Sequence, residues 1–197
     1  MQAEESKIMV DFGTADDSGL LKGVSCFLSG PIDRVSDDGI QWRNYIKEQS
    51  EKRALGIGFF DPCDKPEGLG SEIGIEKVKV QELIREGKWQ EAQDFVKTFR
   101  RYDLRGVDTS DFLIVKVDLD VHMCGTYDEM FTAEREQKPI LVIMGPGQKK
   151  ENIPTWLVSF IHSEEIFETE DECLDYLERL NKGEMEFDRR WVPIKLQ

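Results

Sequence analysis

The chain has 197 residues, and its 40 Asp and Glu residues against 26 Lys and Arg residues give a formal net charge of −14. A chain of this length can bury the core of one domain without disulfides or metals. The negative charge repels a nucleic-acid backbone, so the composition argues against duplex nucleic acid as a partner and favours a small ligand or a protein.

Four scattered cysteines form no CxxC pair and no zinc-finger spacing. The neighbours His122 and Cys124 have no further metal ligands nearby in the sequence, so we expect no metal and no cofactor. The first residues are acidic rather than basic, and no stretch of about 18 apolar residues occurs. We therefore expect a soluble, cytoplasmic protein with no membrane segment.

The first part of the chain alternates between strand and helix patterns. Residues 1–22 are polar and predict an irregular N-terminal arm, followed by a single α/β domain over residues 23–197. The segment GVSCFLSGPI at 23–32 predicts a strand that ends in a Ser-Gly-Pro turn. Residues 37–54 have apolar side chains at helical spacing and predict a helix.

The middle of the chain contains a second strand and an insertion. The segment LGIGFFDP at 55–62 predicts the strand, which Pro62 ends. Residues 63–100 predict an inserted, partly helical segment, in which Gly87 separates two helices. The residues DLRGVDTSD at 103–111 then predict a polar turn.

The third part of the chain contains two strongly apolar runs. Residues 112–117 form a near-continuous apolar run, which is typical of a strand buried on both faces of a parallel sheet. The stretch CGTYDEMFTAEREQKPILVIM at 124–144 predicts a loop, a helix and a buried strand, with Asp128 and Glu129 at the helix start.

This alternation predicts a flavodoxin/Rossmann-like fold, an open and mostly parallel sheet of about five strands with helices on both faces. We expect residues 112–117 and 140–143 to be the central strands. Ligands of such sheets bind at the carboxyl ends of the strands. The rule selects three loops, at 29–33, 61–62 and 118–129.

Three motifs in this order carry a resemblance to a known family. They are FLSGPID followed by WR, then DLRGVDTSDFLIV, then GTYDEMFTAEREQKPILVI. The chain resembles the nucleoside 2-deoxyribosyltransferase-like family, including its nucleotide N-glycoside hydrolase branch, over roughly residues 24–144. The resemblance implies an enzyme that acts on a small-molecule nucleoside or nucleotide and assembles as a homo-oligomer.

The resemblance also implies roles for individual residues. Glu129 matches the carboxylate that attacks the sugar and forms a covalent intermediate, and Asp103 matches the aspartate that helps protonate the departing base. Asp111 matches a structural aspartate at the start of the buried strand. The implied substrate-binding residues are Ser29, Gly30, Pro31, Ile32, Arg43, Asp111, Gly125 and Thr126.

These roles agree with the chemistry of the reaction. Cleavage of an N-glycosidic bond puts positive charge on the sugar and negative charge on the base, so it needs one ionised carboxylate and one proton donor. A helix N-terminus favours an ionised Glu129. A carboxyl group near a base keeps its proton at neutral pH only if it is buried or close to another negative charge.

Simpler readings of the same residues stay open. Asp128 and Glu129 are ordinary residues for a helix start, Asp103 can cap a turn, and Asp111 can brace a loop. The chain also has His122, Met123 and Cys124 where the transferases carry an acid that holds a sugar hydroxyl, so sugar recognition differs.

Four functions therefore remain. Transfer of a (deoxy)ribosyl group between bases is the first, and hydrolysis of 2-deoxynucleoside 5′-monophosphates is the second. A non-catalytic nucleotide-binding module and an acidic interaction protein are the others. The apolar tail at 191–194 adds support for self-association.

Overall fold

The computed structural model describes residues 19–65, 73–185, 190 and 191. Its sheet contains β1 (Ser25–Ser29), β2 (Gly58–Phe60), β3 (Phe112–Val117), β4 (Ile140–Met144) and β5 (Ile166–Phe167). The five strands are all parallel, in the order β2-β1-β3-β4-β5. This is the flavodoxin-like order. The predicted fold class is confirmed, and so are the central positions of β3 and its neighbour β4.

The helices are α1 (Ile40–Lys52), α2 (Gly74–Arg85), α3 (Trp89–Thr109), α4 (Cys124–Arg135) and α5 (Glu170–Asn181). Three short 3-10 turns lie between β4 and β5, at Lys150–Asn152, Leu157–Ser159 and Ser163–Glu165. No helix in the described part of the chain is long and apolar enough to cross a membrane.

The alternation of side chains along the strands divides the core into two layers. Phe112 and Ile114 of β3 pack with α1 and α5, while Leu113 and Val115 pack in the layer that contains Met130 of α4. Because successive side chains of a strand point to opposite faces, an apolar run without alternation requires cover on both sides. The helices provide that cover.

Helix α3 is longer than the sequence predicts. It continues through residues 103–109, where we expected a polar turn, and Asp103 and Val107 are buried on it. Gly106 lies within this last part of the helix, where a Cβ atom would come 2.7 Å from the ring of Phe60. Packing against β2 therefore outweighs the poor helix propensity of glycine. The predicted division at Gly87 is confirmed, since α2 ends just before it.

The ends of the chain are only partly described. Residues 1–18 of the predicted arm and residues 192–197 of the apolar tail lie outside the described residues. Leu21, which belongs to the predicted arm, is buried and donates its backbone N–H to Asn181 Oδ1 at 2.8 Å, so the last residues of the arm pack at the end of α5. The single-domain assignment and self-association stay predictions.

Substitution of two helix glycines, Gly106 and Gly125, can test the close approach of α3 to β2. The ring of Phe60 is held between Phe27 and Tyr102, each 5.2 Å away between ring centroids. Gly106→Ala should therefore lower the free energy of unfolding by about 1–3 kcal/mol, because the methyl group overlaps this ring. Urea denaturation gives the value.

Gly125→Ala is the matched control, because a Cβ atom there meets nothing within 4 Å. It should leave the free energy of unfolding unchanged or raise it by about 0.4–1 kcal/mol. Similar stabilities for the two variants would contradict the packing account of α3.

Candidate active site

A cavity of about 370 Å³ opens at the carboxyl edge of the sheet. The loop after β1, the start of α4 and the helices α2 and α3 surround it. The ends of β1 and β3 meet here, where the strand order reverses and ligands of such sheets bind. Seven predicted site residues line the cavity, namely Gly30, Pro31, Ile32, Asp103, Gly125, Thr126 and Glu129.

Glu129 is half-buried in the wall of the cavity. Its Oε2 accepts a hydrogen bond from the hydroxyl of Ser29. Ser29 is fully buried at the end of β1 and is not part of the cavity lining, so it reaches the cavity through Glu129 rather than by contact with a ligand. The hydroxyl of Ser29 fixes the orientation of the Glu129 carboxyl group in the cavity wall.

The helix that carries Glu129 begins earlier than predicted. Helix α4 starts at Cys124, so Asp128 and Glu129 lie in its second turn rather than its first. The favourable effect of the helix dipole falls off within the first turn. The dipole therefore contributes less to an ionised Glu129 than the sequence implied, and the hydrogen bond from Ser29 contributes more.

Asp128 lies in a different environment from Glu129. Its side chain is exposed and pairs with Arg100 of α3, with 2.5 Å between Oδ2 and Nη2. It does not line the cavity. Successive helix residues are about 100° apart around the axis, which explains why adjacent acids have separate partners.

Asp103 lines the cavity from α3 and is buried next to a lysine. Lys65 Nζ donates a hydrogen bond to Oδ2 at 2.8 Å and lies 2.7 Å from Oδ1. Nζ therefore contacts both carboxyl oxygens. Burial raises the pKa of Asp103, and Lys65 and then Arg43 oppose this, with a net rise.

The inserted segment forms one wall of the cavity, a role that the sequence did not reveal. Apolar side chains of α2 and α3 supply it, namely Val80, Ile84, Val96 and Phe99. Lys77 holds α2 to the chain before α1 through Asp38, with 2.8 Å between Nζ and Oδ1. Helical periodicity showed that these helices have an apolar face, but it does not show which surface that face covers.

Arg43, a predicted substrate-binding residue, does not line the cavity. The side chain is fully buried and donates hydrogen bonds to three carbonyl groups. The acceptors are Leu28 at 3.2 Å, Gly39 at 2.8 Å and Gly30 at 3.0 Å. Its Nε also lies 3.6 Å from Asp61 Oδ1. Arg43 therefore shapes the loop after β1 from beneath.

Asp111, another predicted substrate-binding residue, also lies outside the cavity lining. It lies just before β3, and its Oδ2 accepts hydrogen bonds from the backbone N–H and the hydroxyl of Ser25, both at 2.7 Å. This is the amino edge of the sheet, about 13 Å along β1 from the carboxyl edge. The bracing role that the sequence left open accounts for its position.

His122 and Cys124 line the cavity beside the start of α4. Within the described ranges, no group of three or more His, Cys, Asp or Glu side chains is placed to hold a metal ion. Glu129 and Asp103 are acids of the cavity lining that each contact a buried polar side chain, Ser29 and Lys65 respectively.

Comparison with known proteins shows that the fold is similar to those of several solved structures. No family model and no curated protein matches the chain. A 2-deoxyribosyltransferase from Leishmania mexicana has a TM-score of 0.50 and 13% identity, over 79% of this chain and 97% of that one. Its identity is low, so the likeness concerns the fold alone. At this level the expected resemblance is confirmed.

Two further solved structures have lower TM-scores. The 2-deoxyribosyltransferase from Bacillus psychrosaccharolyticus gives 0.48 at 16% identity, over 87% of this chain and 98% of that one. A conserved protein from Enterococcus faecalis V583 gives 0.48 at 14% identity, over 82% of this chain and 99% of that one.

The role of Arg43 is testable by stability. Arg43→Met leaves three buried carbonyl groups without their donor, while Asp61 keeps Lys47 at 2.7 Å, so the variant should lower the free energy of unfolding by about 3–5 kcal/mol. Arg100→Met removes an exposed cation that pairs with Asp128, and should cost at most about 1 kcal/mol. Urea denaturation of both variants measures the difference, and a cost for Arg43→Met as small as that of the control would refute the role.

Proposed function

We propose that the protein transfers a (deoxy)ribosyl group between nucleobases through a covalent intermediate on Glu129. The observation that carries this proposal is the pairing of a half-buried Glu129 with a buried Asp103 on one cavity. The three sequence motifs and the fold likeness to a 2-deoxyribosyltransferase from Leishmania mexicana support it. Small-molecule nucleosides or nucleotides are the proposed substrates.

The first half-reaction breaks the bond between the base and C1′ of the sugar. A carboxylate oxygen of Glu129 forms a bond to C1′ as the C1′–N bond breaks, and the electron pair of that bond goes to the base nitrogen. Asp103 donates its proton to the base, which leaves as a neutral molecule. The products are a glycosyl ester of Glu129, the free base and an ionised Asp103.

The second half-reaction reverses these steps with a different base. A nitrogen of the acceptor base attacks C1′, the ester bond breaks and Glu129 regains its negative charge. The proton lost by the acceptor nitrogen returns to Asp103. Both residues end in the state in which they began, so one cavity serves both half-reactions.

The surroundings of the two acids suit these opposite roles. The Ser29 hydroxyl donates a hydrogen bond to Glu129, which favours the ionised form and fixes its orientation. Burial raises the pKa of Asp103, which favours the protonated form. An acid and a nucleophile are expected where the surroundings of two carboxyl groups give them different proton affinities. The apolar side chains of α2 and α3 offer a surface for a base.

Hydrolysis of a nucleoside 5′-monophosphate is the second candidate. The start of α4 lines the cavity, and no side chain in the described residues caps this helix. Free backbone N–H groups at a helix N-terminus bind phosphate. Lys77 and Arg34 add positive charge at the same cavity, each beside an aspartate. In this reaction water takes the place of the acceptor base.

One assay separates these functions. The protein is incubated with deoxynucleosides and their 5′-monophosphates, with and without an acceptor base, and the products are separated by chromatography. A new nucleoside that forms only with the acceptor indicates transfer. Free base released from 5′-monophosphates alone indicates hydrolysis. Binding without release of base indicates a non-catalytic module, and no binding at all would favour the acidic interaction protein.

The neighbouring acids of α4 give a matched test of the nucleophile. Glu129→Gln keeps the shape of the side chain but removes the charge that forms the bond to C1′. Base release should fall by about 10³-fold or more, with little change in the free energy of unfolding. The rate is measured by chromatography of the released base.

Asp128→Asn is the control, because it removes a carboxylate from the same turn but outside the cavity. Its activity should stay within about threefold of the wild type, as for an exposed ion pair worth well under 1 kcal/mol. Full activity in Glu129→Gln, or equal losses in both variants, would exclude Glu129 as the nucleophile.

A further inference from the structure

The buried lysine beside Asp103 has a place in the reaction as well as in the fold. We propose that Lys65 is a positioning residue, which fixes the carboxyl group of Asp103 and stabilises the carboxylate that remains after the proton moves to the base. This inference rests on the proposed function.

The contacts of Lys65 fit a role that acts through Asp103. The ammonium group donates a hydrogen bond to Oδ2 at 2.8 Å, and its Nζ lies 2.7 Å from Oδ1, so it contacts both oxygens of the carboxyl group. Lys65 itself does not line the cavity. An ammonium in contact with both oxygens fixes the plane of the carboxyl group and pairs directly with the charge that appears when the proton moves to the base.

The burial of this lysine is costly unless a partner compensates for it. Only 3% of its side chain is exposed, and lysine is among the residues that are least often buried. Its ammonium lies 5.5 Å from the ring centroid of Phe99 and 5.8 Å from that of Tyr102, where the faces of aromatic rings attract a cation. Apolar residues in place of a buried ion pair often give equal stability. Fold stability alone therefore does not call for a lysine here.

The movement of negative charge during the proposed reaction explains why a cation beside Asp103 is favourable. Before the first half-reaction the negative charge is on Glu129, and Asp103 is neutral. Afterwards Glu129 is a neutral ester and the negative charge is on Asp103, directly beside Lys65. The total charge of the cavity is unchanged, but its negative part has moved toward the cation. In a site with little water, a fixed cation stabilises such a developing charge strongly.

Several charged or titratable groups surround Asp103, and Lys65 is the one in direct contact. They come from every element packed around it, namely Lys65 after β2, Arg43 of α1, Lys77 of α2, His122 before α4 and Glu129 of α4. Arg43 acts on Asp103 only through longer-range attraction, without a hydrogen bond to it. Loss of Lys65 should therefore raise the pKa of Asp103 further, because the effect of burial is then opposed only by Arg43.

The test compares Lys65→Met with Lys65→Arg in the full chain. For Lys65→Met we expect kcat to fall by about 10²-fold or more, because Asp103 becomes a weaker acid. KM should change much less, since Lys65 does not touch the substrate. The alkaline limb of the pH profile of kcat/KM should move to higher pH, because the group that lowers the pKa of Asp103 is gone. Lys65→Arg keeps the charge and should retain both the profile and most of the activity.

A second measurement separates this inference from the proposed function. Carbon-13 NMR of the carboxyl groups, with Asp103→Asn to identify the signal, follows the titration of Asp103 without any substrate. The titration should move to higher pH in Lys65→Met and also in Lys65→Gln, which serves if the methionine variant does not fold. An unmoved titration, or an active Lys65→Met enzyme with the wild-type pH profile, would overturn the role of Lys65. A wild-type protein that releases no base would instead overturn the proposed function.

Discussion

The buried guanidinium of Arg43 is the interaction on which the shape of the cavity depends. It bonds the carbonyl groups of Leu28 and Gly30 at the end of β1 and of Gly39 before α1, and it lies beside Asp61 after β2. A charge without exposure to water is stable only when its donors are satisfied and its charge is balanced. The planar, forked guanidinium offers five N–H donors in fixed directions, whereas an ammonium group offers three. One side chain thus fixes three chain segments at the ligand edge of the sheet.

The position of the proposed nucleophile follows from this arrangement. The loop that Arg43 holds is tightly packed, since a Cβ atom on Gly30 would lie 2.9 Å from the ring of Trp42. With the loop fixed, Ser29 is fully buried at the end of β1, and its hydroxyl meets Glu129 on α4. A disturbance of Arg43 therefore reaches Glu129 through two steps, although Arg43 does not itself line the cavity. It shapes the lining from beneath through its hydrogen bond to Gly30.

The sequence predicted those features that depend on local pattern. The buried run at 112–117 indicated a central parallel strand, and the rule of strand ends located the cavity and Glu129. Features that depend on contacts between distant residues were not visible. The last turns of α3 are helical because Gly106 packs against Phe60. Local helix propensity carries no information about this contact between distant residues. Lys65 meets Asp103 across 38 positions of sequence, and it lies in a stretch whose glycines and charges indicated only a loop.

The distribution of charge bears on the nucleotide proposed as a ligand of this acidic protein. The net charge of −14 is spread over the chain, and interactions between exposed charges are screened beyond about 8 Å at physiological salt. Lys65 and Arg43 are instead buried beside the cavity, each next to an aspartate, where screening by salt is weak. A single nucleotide inside the cavity therefore experiences the buried cations and the start of α4 more than the distant surface. A long nucleic-acid strand would lie across the negatively charged surface and be repelled by it. The surface charge therefore opposes binding of a nucleic-acid chain more than binding of a single nucleotide.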